Sequence, residues 1–159
     1  MLTASDRSAA GERPDSSGSV VGARLADLGF AVDRGVVADE QGTIEAALVA
    51  AATDHDLVVT TGGTGLTPRD VTPQATLAVI DYVIPGIAEA MRADGRRSTP
   101  MAALSRGVVG VRGRSLIVNL PGSPRGAAES LEVLVPVLDH ALETLAGPFD
   151  HAATEERPG

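Results

Sequence analysis

Leu57-Val58-Val59-Thr60-Thr61 runs directly into Gly62-Gly63-Thr64-Gly65, and this junction constrains the fold more than any other stretch of the chain. A run without period-two alternation suits a central strand covered on both faces. Short apolar runs bounded by Gly, Asp and Pro alternate with segments of helical period on either side of it. That order predicts an α/β fold, a three-layer sandwich with a mostly parallel sheet and helices on both faces. Strands are expected over Met1–Ser5, Ala31–Val37, Leu57–Thr61, Val108–Val111 and Leu116–Leu120, the last two turned by Gly113. With 159 residues the chain is expected to form one domain over 1–147, with a loose polar tail over 148–159.

Helices fall between these runs. Val21, Leu25 and Leu28 share one face, and Gly29 is expected to end that helix. Asp39 stands at an N-cap position before the stripe of Ile44, Ala47, Leu48 and Ala51. Thr72-Pro73 reads as a cap and first-turn proline, with Leu77 and Ile80 continuing a buried stripe. Pro85-Gly86 breaks the pattern before Ile87–Asp94, and Met101–Ser105 is ambiguous between helix and loop. A last stripe runs through Leu131, Leu134, Val135, Leu138, Leu142 and Leu145. Pro136 would cost about 3 kcal/mol inside it, so two helices joined near Val135 are expected.

Composition removes several kinds of chemistry. All 13 basic residues are Arg, against 21 Asp and Glu, for a net charge of -8. Without Lys there is no Walker-type phosphate loop and no Schiff-base chemistry. Without Cys there are no disulfides, thiolate nucleophiles or Cys-bound metals. Aromatics at 2% and a pI near 4.7 argue against nucleic acid as a partner. His55, His140 and His151 match no metal or triad spacing. No apolar run approaches the roughly 20 residues of a bilayer span, so no membrane partner and a soluble cytoplasmic protein are expected.

Ligands of open parallel sheets bind beyond the carboxyl ends of the strands. That rule selects Asp39, the Thr61–Asp70 loop and Pro121–Pro124. Glycine amides at Gly62–Gly65 could cradle phosphate, or simply form a tight turn. Asp39 and Asp70, on the same expected edge, could hold Mg²⁺ as hard oxygen ligands, or cap helices. Arg69 and Arg106 could neutralise phosphate or stay solvated.

The string Thr60-Thr61-Gly62-Gly63-Thr64-Gly65-x-x-x-Arg69-Asp70-x-Thr72-Pro73 resembles the signature loop of one family. Ser5-Asp6-Arg7, Asp39-Glu40, Met101-Ala102-x-Leu104-Ser105-Arg106 and Asn119-Leu120-Pro121-Gly122-Ser123-Pro124 follow in that family's order. The chain thus resembles the molybdopterin adenylyltransferase group of molybdenum cofactor biosynthesis, of MogA/MoaB type and related to the gephyrin G domain. The resemblance implies a MogA/MoaB-like fold, a homotrimer, and reaction of molybdopterin with ATP and Mg²⁺ to give adenylyl-molybdopterin and pyrophosphate. It implies Asp39 and Asp70 as catalytic acids and metal holders. It further implies Thr61, Gly62, Gly63, Thr64 and Gly65, with Ser105, Pro121, Gly122 and Ser123, as the binding loops. Hand-over to a molybdenum-insertion enzyme is part of the same expectation. A non-catalytic molybdopterin-binding paralogue or a structural trimer of the same fold stays open as an alternative. One departure is that only Met1–Ala4 precede Ser5-Asp6-Arg7, where the family's first strand usually has more apolar residues.

Overall fold

A computed structural model describes residues 1–147; the expected tail over 148–159 lies outside the described residues. In chain order the elements are β1 (Leu2–Ala4), α1 (Asp6–Ala9), α2 (Ser16–Asp27), β2 (Gly35–Val37), α3 (Gln41–Asp54) and β3 (Leu57–Thr61). There follow α4 (Thr72–Val79), β4 (Tyr82–Val83), α5 (Pro85–Ser98), a 3-10 turn at Pro100–Leu104, β5 (Val109–Arg112), β6 (Ser115–Leu120) and α6 (Pro124–Ala146). Among the described residues six strands form one sheet in the order β2-β1-β3-β6-β5-β4. β1, β2, β3 and β6 are parallel, and β4 and β5 add antiparallel strands at one edge.

Alternation along the two central strands divides the core. Leu116, Val118 and Leu120 of β6, with Val59 of β3, face a cluster built from Val21 and Leu25 of α2, Met91 of α5 and Leu131, Leu134 and Leu138 of α6. Ile117 of β6 and Val58 of β3 face the opposite cluster, with Ile44 and Leu48 of α3 and Ala75 and Val79 of α4. Both faces are covered, which is why these strands are apolar without alternation. The expected three-layer α/β sandwich is the fold found, with four of six strands parallel.

Several local expectations need correction. The second strand covers Gly35–Val37 rather than Ala31–Val37, because its one neighbour, β1, offers only Leu2, Thr3 and Ala4 to pair with. Tyr82–Val83 forms a short edge strand that its sequence did not announce. Pro85-Gly86 opens α5 instead of merely interrupting a pattern. The buried stripe of α4 is Thr72, Ala75, Thr76 and Val79, so Leu77 projects outward and is 52% exposed. Neither expected cap forms: Glu40 and Val71 hold the N-cap positions of α3 and α4, and neither makes a side-chain cap bond.

The largest correction is α6, one helix through Pro136. Pro136 lies on the exposed face, where water can reach the carbonyl its missing N–H leaves unpaired. Leu131, Leu134 and Leu138 are buried on either side of it. At about 1.5–3 kcal/mol for each buried side chain, the stripe outweighs the proline penalty of about 3 kcal/mol. Leu134→Ala is therefore expected to lower the unfolding free energy by about 2–5 kcal/mol. Pro136→Ala should raise it by up to about 3 kcal/mol. Urea denaturation of the two variants measures both, and a destabilised Pro136→Ala would contradict this account of the helix.

Candidate functional site

All four parallel strands end at the same edge of the sheet, and four loops leave there: Ser5–Arg7 after β1, Ala38–Glu40 after β2, Gly62–Val71 after β3 and Pro121–Ser123 after β6. Gly62 turns the chain out of β3 at φ +90°, where a side chain would lie 2.3 Å from the Ala4 carbonyl oxygen. Gly63 follows at φ +63°, and its missing Cβ would sit 2.3 Å from Thr72 Oγ1 and 3.5 Å from Asp39 Oδ1. Only glycine adopts such a path readily. The result is a bare backbone laid between loops that would otherwise stand apart.

Asp39 is bound to its neighbour across the edge. Its backbone N–H donates to Asp6 Oδ1 at 2.8 Å, and its Oδ2 accepts from the Asp6 N–H at 3.0 Å. Asp6 Oδ2 in turn accepts from the Arg69 guanidinium. Asp39 Oδ1 is buried without a hydrogen-bond partner among the described residues, as is Thr72 Oγ1. Both oxygens thus flank the Gly63 position, unpaired and out of bulk water. Burial pushes the Asp39 pKa up, and the nearby Asp6 and Asp70 charges add to the rise against the Asp6 N–H and Arg69. The Asp39 N–H and the Arg69 side chain hold Asp6 below the usual carboxylate range.

Asp70 is held differently. Its Oδ2 accepts from Thr67 N–H at 2.8 Å and Thr67 Oγ1 at 2.7 Å. Burial raises its pKa, but these donors and the backbone of Gly65 outweigh it, and the carboxyl lies below its ordinary value. A dissatisfied carboxylate and a satisfied one therefore border the same glycine turn.

Two cavities open here. The smaller, about 340 Å³, is walled by polar groups including Ser5, Asp6, Arg7, Arg13, Asp39 and Arg69. The larger, about 530 Å³, has an apolar wall at Ala88, Met91, Met101 and Leu104. Gly63, Asp70 and Gly122 line both, so the two are adjoining parts of one groove. Asp39 and Gly62 face the smaller part, and Thr64, Gly65, Ser105, Pro121 and Ser123 the larger. Ser105 also accepts from Gly107 N–H at 3.3 Å, and Ser123 caps α6 through Gly126 N–H at 3.1 Å. Thr61 stands apart: it is fully buried, its hydroxyl bonded to Ser17 Oγ at 3.1 Å and to Thr3 Oγ1 at 3.3 Å, and it lines neither cavity. It supports the loop from below.

Asp6 stands in the Ser5-Asp6-Arg7 string but is not among the residues chosen for the site, and Thr72 is read there only as a cap. Asp6 follows β1 on the chosen edge, so the strand-end rule that selected Asp39 would also have selected it. The wall from α5 and the 3-10 turn had no such signal, because its place depends on α5 packing against α6. The donor set suits a hard cation. Asp39 Oδ1 and Thr72 Oγ1 are unpaired oxygens beside Asp70, and Mg²⁺ needs few protein ligands when phosphates and water complete its shell. Among the described residues no cluster of three or more His or carboxylate side chains forms a metal cage, and no helix is long and apolar enough to cross a membrane.

Residues 1–140 match a family model described as "Probable molybdopterin binding domain". The chain is 39% identical to the molybdopterin adenylyltransferase of Helicobacter pylori (strain J99), over 94% of this chain and 88% of that protein. Its fold is similar to that of the molybdopterin biosynthesis enzyme MoaB from Thermus thermophilus, with TM-score 0.86 and 52% identity over 92% of this chain and 94% of that one. The molybdopterin biosynthesis Mog protein of Mycobacterium ulcerans gives TM-score 0.86 and 45% identity, over 91% and 95% of the two chains.

The raised Asp39 pKa has a consequence for stability. Because the fold holds this proton more tightly than the unfolded chain does, Asp39 favours the fold at low pH and opposes it as pH rises through the raised value. Asp39→Asn removes that opposition, and its amide can donate on the side of Thr72 Oγ1. In metal-free buffer at pH 7.5 the variant should melt above the parent, with the gap closing as the pH is lowered toward 4. A variant that melts lower at neutral pH would show that the carboxylate is not strained where it stands.

Proposed function

The chain belongs to the molybdopterin-binding family of molybdenum cofactor biosynthesis, and from that premise we propose that it works as a molybdopterin adenylyltransferase. In the reaction a terminal phosphate oxygen of molybdopterin attacks the α-phosphorus of ATP in line. The bond to the β-phosphate oxygen breaks, and adenylyl-molybdopterin and pyrophosphate result. The observation that carries this reading is the meeting of Asp39 and Asp70, thirty-one positions apart in the chain, on one groove beside a glycine turn.

The attacking group is already an anion, so little is asked of a general base, and the main demands are alignment and charge neutralisation. A chain without Cys or Lys, whose described histidines, His55 and His140, line neither part of the groove, is suited to direct transfer with no covalent enzyme intermediate. Backbone amides of Gly62–Gly65 face the phosphates, and Arg69 adds positive charge at the rim. Asp39 and Asp70 would hold Mg²⁺, assisted by Thr72 Oγ1. When bound, the ion supplies neutralisation of the phosphate charge. Ser105 and Pro121–Ser123 wall the larger part of the groove, whose Met91, Met101 and Leu104 give flat ring systems an apolar surface. Thr61 keeps the turn in register from inside the sheet. We place the enzyme in the cytoplasm as a homotrimer that passes its product to a molybdenum-insertion enzyme, on the strength of the family resemblance. Sedimentation as a monomer would remove the trimer.

Purified protein given ATP, Mg²⁺ and molybdopterin should release pyrophosphate, whereas a binding-only paralogue would not. Asp70→Asn should bind molybdopterin within a few-fold of the parent yet lose at least about 100-fold in turnover, the scale of lost transition-state stabilisation at such sites. Full turnover by that variant at saturating Mg²⁺ would take Asp70 out of the mechanism. Removing divalent cations should weaken ATP binding at least about tenfold, or about 1.4 kcal/mol. Equal binding with and without a chelator, read by calorimetry, would count against the metal.

A further inference from the structure

We propose that Arg106 is a positioning residue for this reaction, one that sets the place of the Asp70 carboxylate by holding both ends of its turn; the inference rests on the adenylyl-transfer reading above. Its backbone N–H donates to the Thr64 carbonyl at 3.0 Å. Its Nε donates to the Gly65 carbonyl at 2.7 Å, and its Nη2 donates to the Asp70 carbonyl. All three acceptors belong to one loop, far from Arg106 in the chain. A planar guanidinium offers Nε and Nη2 to two carbonyls at a fixed spacing; a lysine ammonium is one point of donors on a flexible stem.

The loop needs such a tie. Leu66, Thr67, Pro68 and Arg69 are exposed, with Leu66 at 65%, so no burial of its own fixes the turn. Inside it, Asp70 Oδ2 is committed to Thr67 N–H and Oγ1, while the Asp70 N–H returns to the Thr67 carbonyl at 3.0 Å. With one oxygen committed, the direction of the other follows the position of the whole turn. Arg106 is itself fastened to the sheet. The Gly107 carbonyl next to it accepts from Arg92 Nη1 at 3.0 Å, and Val108 N–H donates to Asn119 Oδ1 of β6 at 3.1 Å. Hydrogen bonds at the next two residues thus anchor the chain at Arg106 to α5 and the central sheet, and its own bonds reach the turn that carries Asp70.

The test compares the parent with Arg106→Ala and Arg106→Lys in pyrophosphate release at saturating substrates, and in hydrogen exchange of the loop amides. A carboxylate displaced by about 1 Å can cost on the order of 100-fold in rate. Arg106→Ala should therefore lose about 10- to 100-fold in kcat, with KM for ATP and molybdopterin changing less than about threefold. Exchange at the Thr67 and Asp70 amides should speed up in step, and added guanidinium ion should restore part of the lost kcat. Arg106→Lys, which keeps the charge without the fork, should stay nearer to Arg106→Ala than to the parent. It carries the same readouts should the alanine variant not fold. Parent-like kcat, a loss confined to KM, or lost kcat with unchanged loop exchange would each overturn the proposal. A parent that releases no pyrophosphate refutes the adenylyl-transfer reading itself, a result separate from any difference between parent and variants.

Discussion

The chain leaves its central strand through a turn that has no space for a side chain, and the site is built around that restriction. At Gly62 the backbone passes so near the Ala4 carbonyl that a Cβ would overlap it. One residue later the same backbone lies against Thr72 and within reach of Asp39. Gly122, arriving from β6, closes over Gly62, its missing Cβ only 3.2 Å from the Gly62 Cα. Close approach of bare backbone therefore joins three parallel strands and a helix start at one point. The carboxylates take their positions from it.

The polar layer under the turn makes this arrangement rigid. Asn119 Nδ2 donates to Thr60 Oγ1 at 3.1 Å and to Thr76 Oγ1 at 2.9 Å, both buried, while its Oδ1 takes the Val108 N–H. On the other side, Asp15 binds Thr3 Oγ1 at 2.9 Å, Thr3 meets Thr61, and Thr61 meets Ser17. Buried polar groups satisfied from all sides define a position more sharply than apolar packing, because each alternative leaves a donor or acceptor unpaired. These networks explain why two threonines end a strand that is otherwise apolar.

Much of this was legible in the sequence, for physical reasons that differ by element. β3 was read to the residue because a strand covered on both faces must be apolar throughout. The groove edge was legible because parallel strands place their exits together, and Asp39 and Asp70 lie on such exits. The roles of individual groups were not. Asp39 and Thr72 occupy positions where capping is the ordinary expectation, yet neither side chain caps a helix. Their helices shift by one residue, and the oxygens that local chemistry would have used stay unpaired at the groove. Thr61 shows the converse: the signature loop includes it, but strand alternation turns it into the core. Pro136 failed as a helix boundary because local propensity was weighed without the buried stripe on either side of it.

The same balance explains where the fold tolerates local cost. Asp39 is held near two other carboxylates with one oxygen unpaired among the described residues, and burial raises its pKa. Arg69 offsets part of that charge through Asp6 but sits at the surface, where an ion pair contributes little. Stability must come from elsewhere, and the largest reserve is the buried stripe of α6 against α2, α5 and the central strands. A chain with such a reserve can keep an uncompensated carboxylate at its binding edge. Filling the Asp39 position with a group that satisfies its own neighbours would relieve the fold and, on the proposed reading, remove one of the two carboxylates offered to a cation. On that reading, the unpaired Asp39 oxygen and the place offered to a cation are two aspects of one arrangement.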